Sequence, residues 1–357
     1  MKNLSAIPQG QFFFLVTPLF IFGGLSSSFE FICTFLIALL GLKKIFSSIN
    51  YISLKNIIFL GLILLTFFQI ISSQSLVHLR LELSFLFLLL SSYYFLNFDY
   101  ISNNKSYIRA ILAISLFSIV LQITINFLLD GNGTLLRGDR NHSAPILVIF
   151  YIFCYFLLSS RKLIIYLLWP LNLSRNFLLG LFIFEILNIK RLQDFCFKYK
   201  NLIFTILLTL PFIVSAIFFA ILDNYNITIG SSNDYSRLLQ VFDGSNVQRL
   251  TLNIFFFDFL VDNFYEMILR TGIYSEMGDI FGMISHNSLI QGIYRLGILR
   301  IVFFIYLIFL FCKTKESFQI FITFFIMSVF IHEMFLSILV VMLCFLIRFN
   351  NLQHEKL

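Results

Sequence analysis

The chain has 357 residues, 59% of them apolar and 18% aromatic, with 49 Phe and a mean hydropathy of +0.92. One soluble core cannot hide that many large apolar side chains, so composition excludes a soluble globular domain. The net charge of +7 sits mostly in short connecting segments, which accounts for it without a nucleic-acid partner.

Apolar runs long enough to read as membrane spans fall at 11–25, 29–42, 57–73, 82–97, 107–129 and 144–160. Others follow at 163–174, 176–189, 201–222, 288–312, 317–331 and 333–349. Lipid offers no partner to an unpaired backbone group, so the expected fold is all-α, a polytopic transmembrane helical bundle. The runs predict about twelve spans, and their marginal lengths also fit ten or eleven. Residues 1–222 would form an N-terminal bundle of about nine spans, 223–286 one large loop, and 287–357 the last spans and a short tail. Only Lys2 precedes the first run, and the small residues Gly23 to Ser28 imitate a cleavage site. The expectation is a retained first span. The cysteines at 33, 154, 196, 312 and 344 show neither a disulfide framework nor metal-ligand spacing.

Orientation follows from the Lys and Arg residues. One face carries Lys2, Lys43, Lys44, Lys55, Lys105, Arg109, Arg161, Lys162, Lys190, Arg191, Lys198, Lys200, Lys313, Lys315, Arg348 and Lys356. The other carries Arg80, Arg137, Arg140, Arg175, Arg237, Arg249 and Arg270, and no Lys. The first set marks the cytoplasmic side, with both termini there and 223–286 outside. A planar, always-charged guanidinium suits two-pronged phosphate contact, whereas each Arg could also simply pair with an acid of the loop.

Three outer segments carry the chemistry. In 130–143, Asn141 or Ser143 can cap the next helix and Pro145 suits its first turn, but Arg137, Arg140 and His142 are left without such a task. Ser174-Arg175 stands between two short spans, where Arg either snorkels or faces a site. The loop 223–286 holds Arg237 and Arg249, then Asp258, Asp262, Glu266 and Arg270 at steps of four. That spacing predicts an amphipathic interfacial helix with a solvated acidic face. His286-Asn287 closes the loop at the membrane edge, where the imidazole can act as a base or merely start a helix that Asn287 caps.

Four pieces in order resemble the O-antigen polymerase and O-antigen ligase superfamily of bacterial envelope glycosyltransferases. They are Arg140-Asn141-His142-Ser143-Ala144, Leu173-Ser174-Arg175, Arg249 with Arg237, and His286-Asn287 followed by Gly297. Arg300 stands where that family usually has a small residue. The resemblance implies a metal-independent glycosyltransferase of the bacterial inner membrane, with no cofactor, working on an undecaprenyl-diphosphate-linked oligosaccharide on the periplasmic side. It implies His286 and Arg249 as catalytic, with Arg175, Arg237, Arg137, Arg140, Asn141 and Asn287 binding diphosphate or glycan. A chain-length regulator protein is an implied partner beside the lipid bilayer. The expected reaction is polymerisation onto a second lipid-linked repeat unit. The alternatives are ligation onto lipid A-core and, from another class, a lipid-linked oligosaccharide flippase, which would favour broken helices near mid-membrane.

Overall fold

The computed structural model describes residues 27–49, 53–73, 75–97, 105–130, 140–158, 174–225, 252–253, 255–256, 259–270, 287–331 and 334–354. Among these every regular element is a helix. In chain order they are α1 (Ser27–Ile49), α2 (Leu54–Ile71), α3 (Leu76–Leu96), α4 (Lys105–Asp130), α5 (Arg140–Leu158), α6 (Arg175–Leu187) and α7 (Lys190–Lys198). Then come α8 (Lys200–Tyr225), α9 (Phe264–Leu269), α10 (Ser288–Leu296), α11 (Ile298–Leu310), α12 (Lys315–Ser328), a 3₁₀ turn at Met334–Leu336, and α13 (Ile338–His354). The expected spans at 11–25 and 163–174 lie outside the described residues.

Among the described residues, α2 and α3 are long and apolar enough to cross a membrane, while α11 and most of α13 are apolar but shorter. Serines set where both long helices begin. The Ser53 hydroxyl accepts the N–H of Asn56 at 3.3 Å, and the Ser75 hydroxyl accepts that of His78 at 3.2 Å. Each fills one of the amide donors that a helix start leaves open.

The burial pattern of α2 reverses that of a soluble helix. Asn56 and Thr66 are buried with Phe59 and Leu62, while Leu54, Ile57, Leu60, Leu64, Phe67, Phe68 and Ile71 are exposed. An apolar solvent is the environment in which such an outer row costs nothing. The inward polar groups are bonded: the Tyr93 hydroxyl donates to Asn56 Oδ1, and the Thr66 hydroxyl donates to the Leu62 carbonyl at 2.8 Å. Buried without such partners, each would be destabilising.

Contacts divide the chain into two compact units, 1–198 with 306–327 and 336–357, and 199–305 with 328–335. In the first, α1, α2 and α13 pack on α3, and α6 packs on α5. Small residues allow the close approaches there. A Cβ on Gly180 would meet Met327 Sδ at 2.6 Å and Val148 Cγ2 at 2.7 Å, so only glycine lets α6 sit so near its neighbours. In the second unit, α8 and α9 pack on α10.

Three readings of the sequence need correction. The run 288–312 is not one continuous helix: it breaks at Gly297 into α10 and α11. Helix α5 already starts at Arg140, so Asn141 and Ser143 lie inside it and Pro145 is an interior residue rather than a first-turn one. The acidic-faced helix expected around 255–270 is interrupted at Asn263, and Arg270 leaves its row of carboxylates.

Candidate functional site

Among the expected site residues, Arg137, Arg237, Arg249 and His286 lie outside the described residues. Arg140 and Asn141 open the backbone of α5, and their side chains are likewise outside the described part. Arg175 and Asn287 are described, one in each unit. Arg175 is the first residue of α6 and is half-buried. Ser174 occupies the cap position, buried, but its hydroxyl makes no capping bond.

The described polar contacts of the second unit gather around α10. Asn287 stands in extended backbone (φ −114°, ψ 116°), and its Oδ1 accepts the N–H groups of Leu289 and Ile290, each at 3.0 Å. Its Nδ2 donates to the Val329 carbonyl at 3.3 Å. Both ends of the amide are therefore engaged, and the residue is 0% exposed. Ser288 continues the attachment. Its hydroxyl donates to the Ile331 carbonyl and accepts the Met334 N–H at 2.8 Å. An Asn-Ser pair thus starts the helix and ties it to 329–334, on either side of His332-Glu333, which lie outside the described residues.

The far end of α10 is held by its break. Gly297 adopts φ 85° and ψ 160°, a region open essentially to glycine alone. A Cβ there would lie 2.9 Å from the Ile268 carbonyl oxygen and 3.0 Å from Arg270 N. A broken helix leaves carbonyls without helical partners. Arg300, one turn beyond the break, supplies a donor: its Nε donates to the Leu296 carbonyl at 2.7 Å. That gives a physical reason for a 1%-exposed arginine in an apolar run. Gly292 faces Ile301 so closely that a Cβ would sit 2.8 Å from its side chain, so α10 folds tightly against the first turns of α11.

Arg270 completes the arrangement, and sequence reasoning missed it. It caps α9 in the left-handed conformation (φ 63°), its N–H donating to the Glu266 carbonyl. A non-glycine residue there costs about 1–2 kcal/mol. Its guanidinium lies 4.5 Å from the centre of the Tyr294 ring, an interaction worth about 0.5–2 kcal/mol and so of the size needed to offset that cost. Phe256 and Phe259 also pack against Tyr294, at ring distances of 5.9 and 6.1 Å. The available sequence signal was Thr271-Gly272 directly after Arg270, a helix stop that the spacing of four from Glu266 obscured.

No protein-family model, curated protein or solved structure matches this chain. The described part of the site is a nine-residue half-helix, buried except at Arg295, fixed by hydrogen bonds at its start and by a glycine break at its end. His286, the residue before this cap in the chain, lies outside the described residues. Discontinuous helices of this kind place polar chemistry in otherwise apolar surroundings, because freed backbone groups and buried polar side chains meet at the break.

Proposed function

We propose that this protein is a membrane-embedded glycosyltransferase similar to the O-antigen polymerases, extending a surface polysaccharide from a lipid-diphosphate-linked donor. The observation that carries the reading is the clamped half-helix α10, whose cap Asn287 directly follows His286 in the chain. An acid–base group needs a fixed distance to its substrate, and this rod supplies the fixture. Asn287 contributes by holding that start. The outward apolar row of α2 supports placement in a bilayer, within a bundle of about twelve spans whose large loop faces the periplasm.

In the proposed reaction a sugar hydroxyl of one lipid-linked repeat unit attacks the anomeric carbon of another lipid-linked glycan. His286 takes the hydroxyl proton, a carbon–oxygen bond forms to the acceptor, and the bond to the diphosphate breaks. The negative charge left on the lipid diphosphate falls to Arg249, with Arg237 as a further guanidinium partner. These are the acts that the residue types can perform without a metal.

The break at Gly297 also fits a second reading, a lipid-linked oligosaccharide flippase, because transporters use discontinuous helices. The surface glycan of a deletion strain separates the possibilities. Single repeat units on the cell surface support polymerisation. Long glycan stranded on the lipid carrier indicates ligation to another acceptor, and repeat units trapped on the cytoplasmic side indicate translocation.

A further inference from the structure

Among the described residues, positive φ occurs at Arg270 and Gly297 alone, and the two touch. The Cβ position of Gly297 falls 3.0 Å from Arg270 N and 3.0 Å from the carbonyl carbon of Leu269. The same Arg270 lays its guanidinium over Tyr294, which is 0% exposed and stands three residues before that glycine. One residue of the segment 252–270 therefore holds α10 at two points, by backbone and by side chain. The opposite end of α10 is fixed by Asn287 and Ser288. Nine residues of continuous helix join the two ends, from Ser288 to Leu296.

The chemistry of the clamp favours a specific task over general packing. Arg270 is 7% exposed and keeps a strained backbone, whereas Asp262 and Glu266, earlier on the same stretch, remain exposed. Strained non-glycine residues persist where their surroundings over-determine them, and they gather at functional sites. The Tyr294 ring receives the cation on one contact and the Phe256 and Phe259 rings on others, so segment 252–270 grips α10 through one aromatic side chain. Arg249 lies only three residues before Leu252 in the chain.

We propose that Arg270 is a positioning residue: seated on Tyr294 and against Gly297, it fixes α10 and thereby the residue that precedes the Asn287 cap. The inference rests on the proposed function for the task it gives His286. It adds that Arg270 joins the segment 259–270 to α10 through its guanidinium and its backbone.

The test uses the full chain in intact cells, with His286→Cys as the parent and a membrane-impermeant maleimide as probe. Labelling is followed by mass shift of the purified protein, and the His286 chain serves as background. Arg270→Ala, Arg270→Gly and Tyr294→Leu are expected to change the labelling rate several-fold, whereas Arg270→Lys and Tyr294→Phe, which keep cation and ring, stay near the parent. In the His286 chain, Arg270→Ala is expected to lower kcat about tenfold or more with the donor KM within about twofold, and Arg270→Lys to recover most of it. Parental labelling in both Arg270→Ala and Arg270→Gly overturns the proposal. Parental labelling in Arg270→Gly alone also overturns it, since the turn rather than the guanidinium then sets the helix. If Arg270→Ala does not accumulate, Tyr294→Leu against Tyr294→Phe decides by the same criterion. Full-length polysaccharide from His286→Ala would sink the function assigned to that histidine, while the labelling series still reads the clamp.

Discussion

Asn287 shows how one side chain can settle a local structure. Its carbonyl oxygen takes two amide donors of α10 and its amide nitrogen reaches Val329, so both its capping and its tethering roles can be tested separately. Asn287→Ala removes both and is expected to cost about 1 kcal/mol for the cap alone, with a further loss from the tether. Asn287→Ser keeps a capping oxygen, so the melting temperature of detergent-solubilised protein should fall in the order native, Ser, Ala. An Ala variant as stable as the native chain would contradict the capping role. Gly297→Ala makes the complementary change at the other end. It places a methyl 2.9 Å from the Ile268 carbonyl in a backbone region closed to alanine, and should cost about 1–3 kcal/mol in thermal unfolding. The capping option for Asn287 was legible in the sequence, since an Asn before a helical pattern carries its own mechanism. Arg270 was not legible as a clamp: its regular spacing from Glu266 imitated a surface pair, and no local pattern announces a ring 24 residues further along the chain.

At the level of elements, what the sequence made legible was helical class and approximate place, because long apolar runs leave few other structures open. The ends were less legible. Helix α1 continues to Ile49 through Lys43 and Lys44, and α3 starts at Leu76, before Arg80 and Glu82, although charge dilutes hydropathy at both sites. Hydropathy reports where an apolar stretch stops, whereas a capping serine reports where the backbone turns helical. The break inside 288–312 escaped for a related reason: the apolar run continues through Gly297, and only packing against 268–270 requires its positive φ. Arg300 is the element's own consequence of that break. Arg300→Met should leave the Leu296 carbonyl without this donor and destabilise the protein by about 1–3 kcal/mol, read as a lowered unfolding temperature. Glycines elsewhere separate tight packing from open surface. Gly180→Leu should prevent α6 from seating against Val148 and Met327 and abolish folded protein, while Gly61→Leu, with nothing within 4 Å of its Cβ position, should accumulate normally. Equal yields of the two variants would contradict the packing of α6 described above.

For the whole molecule, we propose one outer reaction centre that uses His286 and Arg249, with the Asn287 cap of α10 directly after His286 in the chain. The distribution of Lys and Arg makes a topological prediction first. Reporter fusions in 131–139 and 226–251 should be active outside the cytoplasm, and fusions near Lys55 and Lys190 inside it; the reverse pattern would place the arginines away from a periplasmic substrate. The candidate chemistry was only partly legible because its residues are far apart in sequence and each has an ordinary reading by itself. Arg175 can snorkel, Asn287 can cap, and a lone histidine can start a helix. Their order along the chain, rather than any one motif, carried the functional reading. The most direct measurement is transfer by the purified full-length protein in proteoliposomes supplied with lipid-diphosphate-linked repeat units and no nucleotide sugar. The expected result is release of lipid diphosphate together with a ladder of longer glycans, lost in His286→Ala and Arg249→Ala at unchanged protein levels. Unchanged ladders from both variants, or translocation of the repeat unit across the bilayer with no new glycosidic bond, would contradict it.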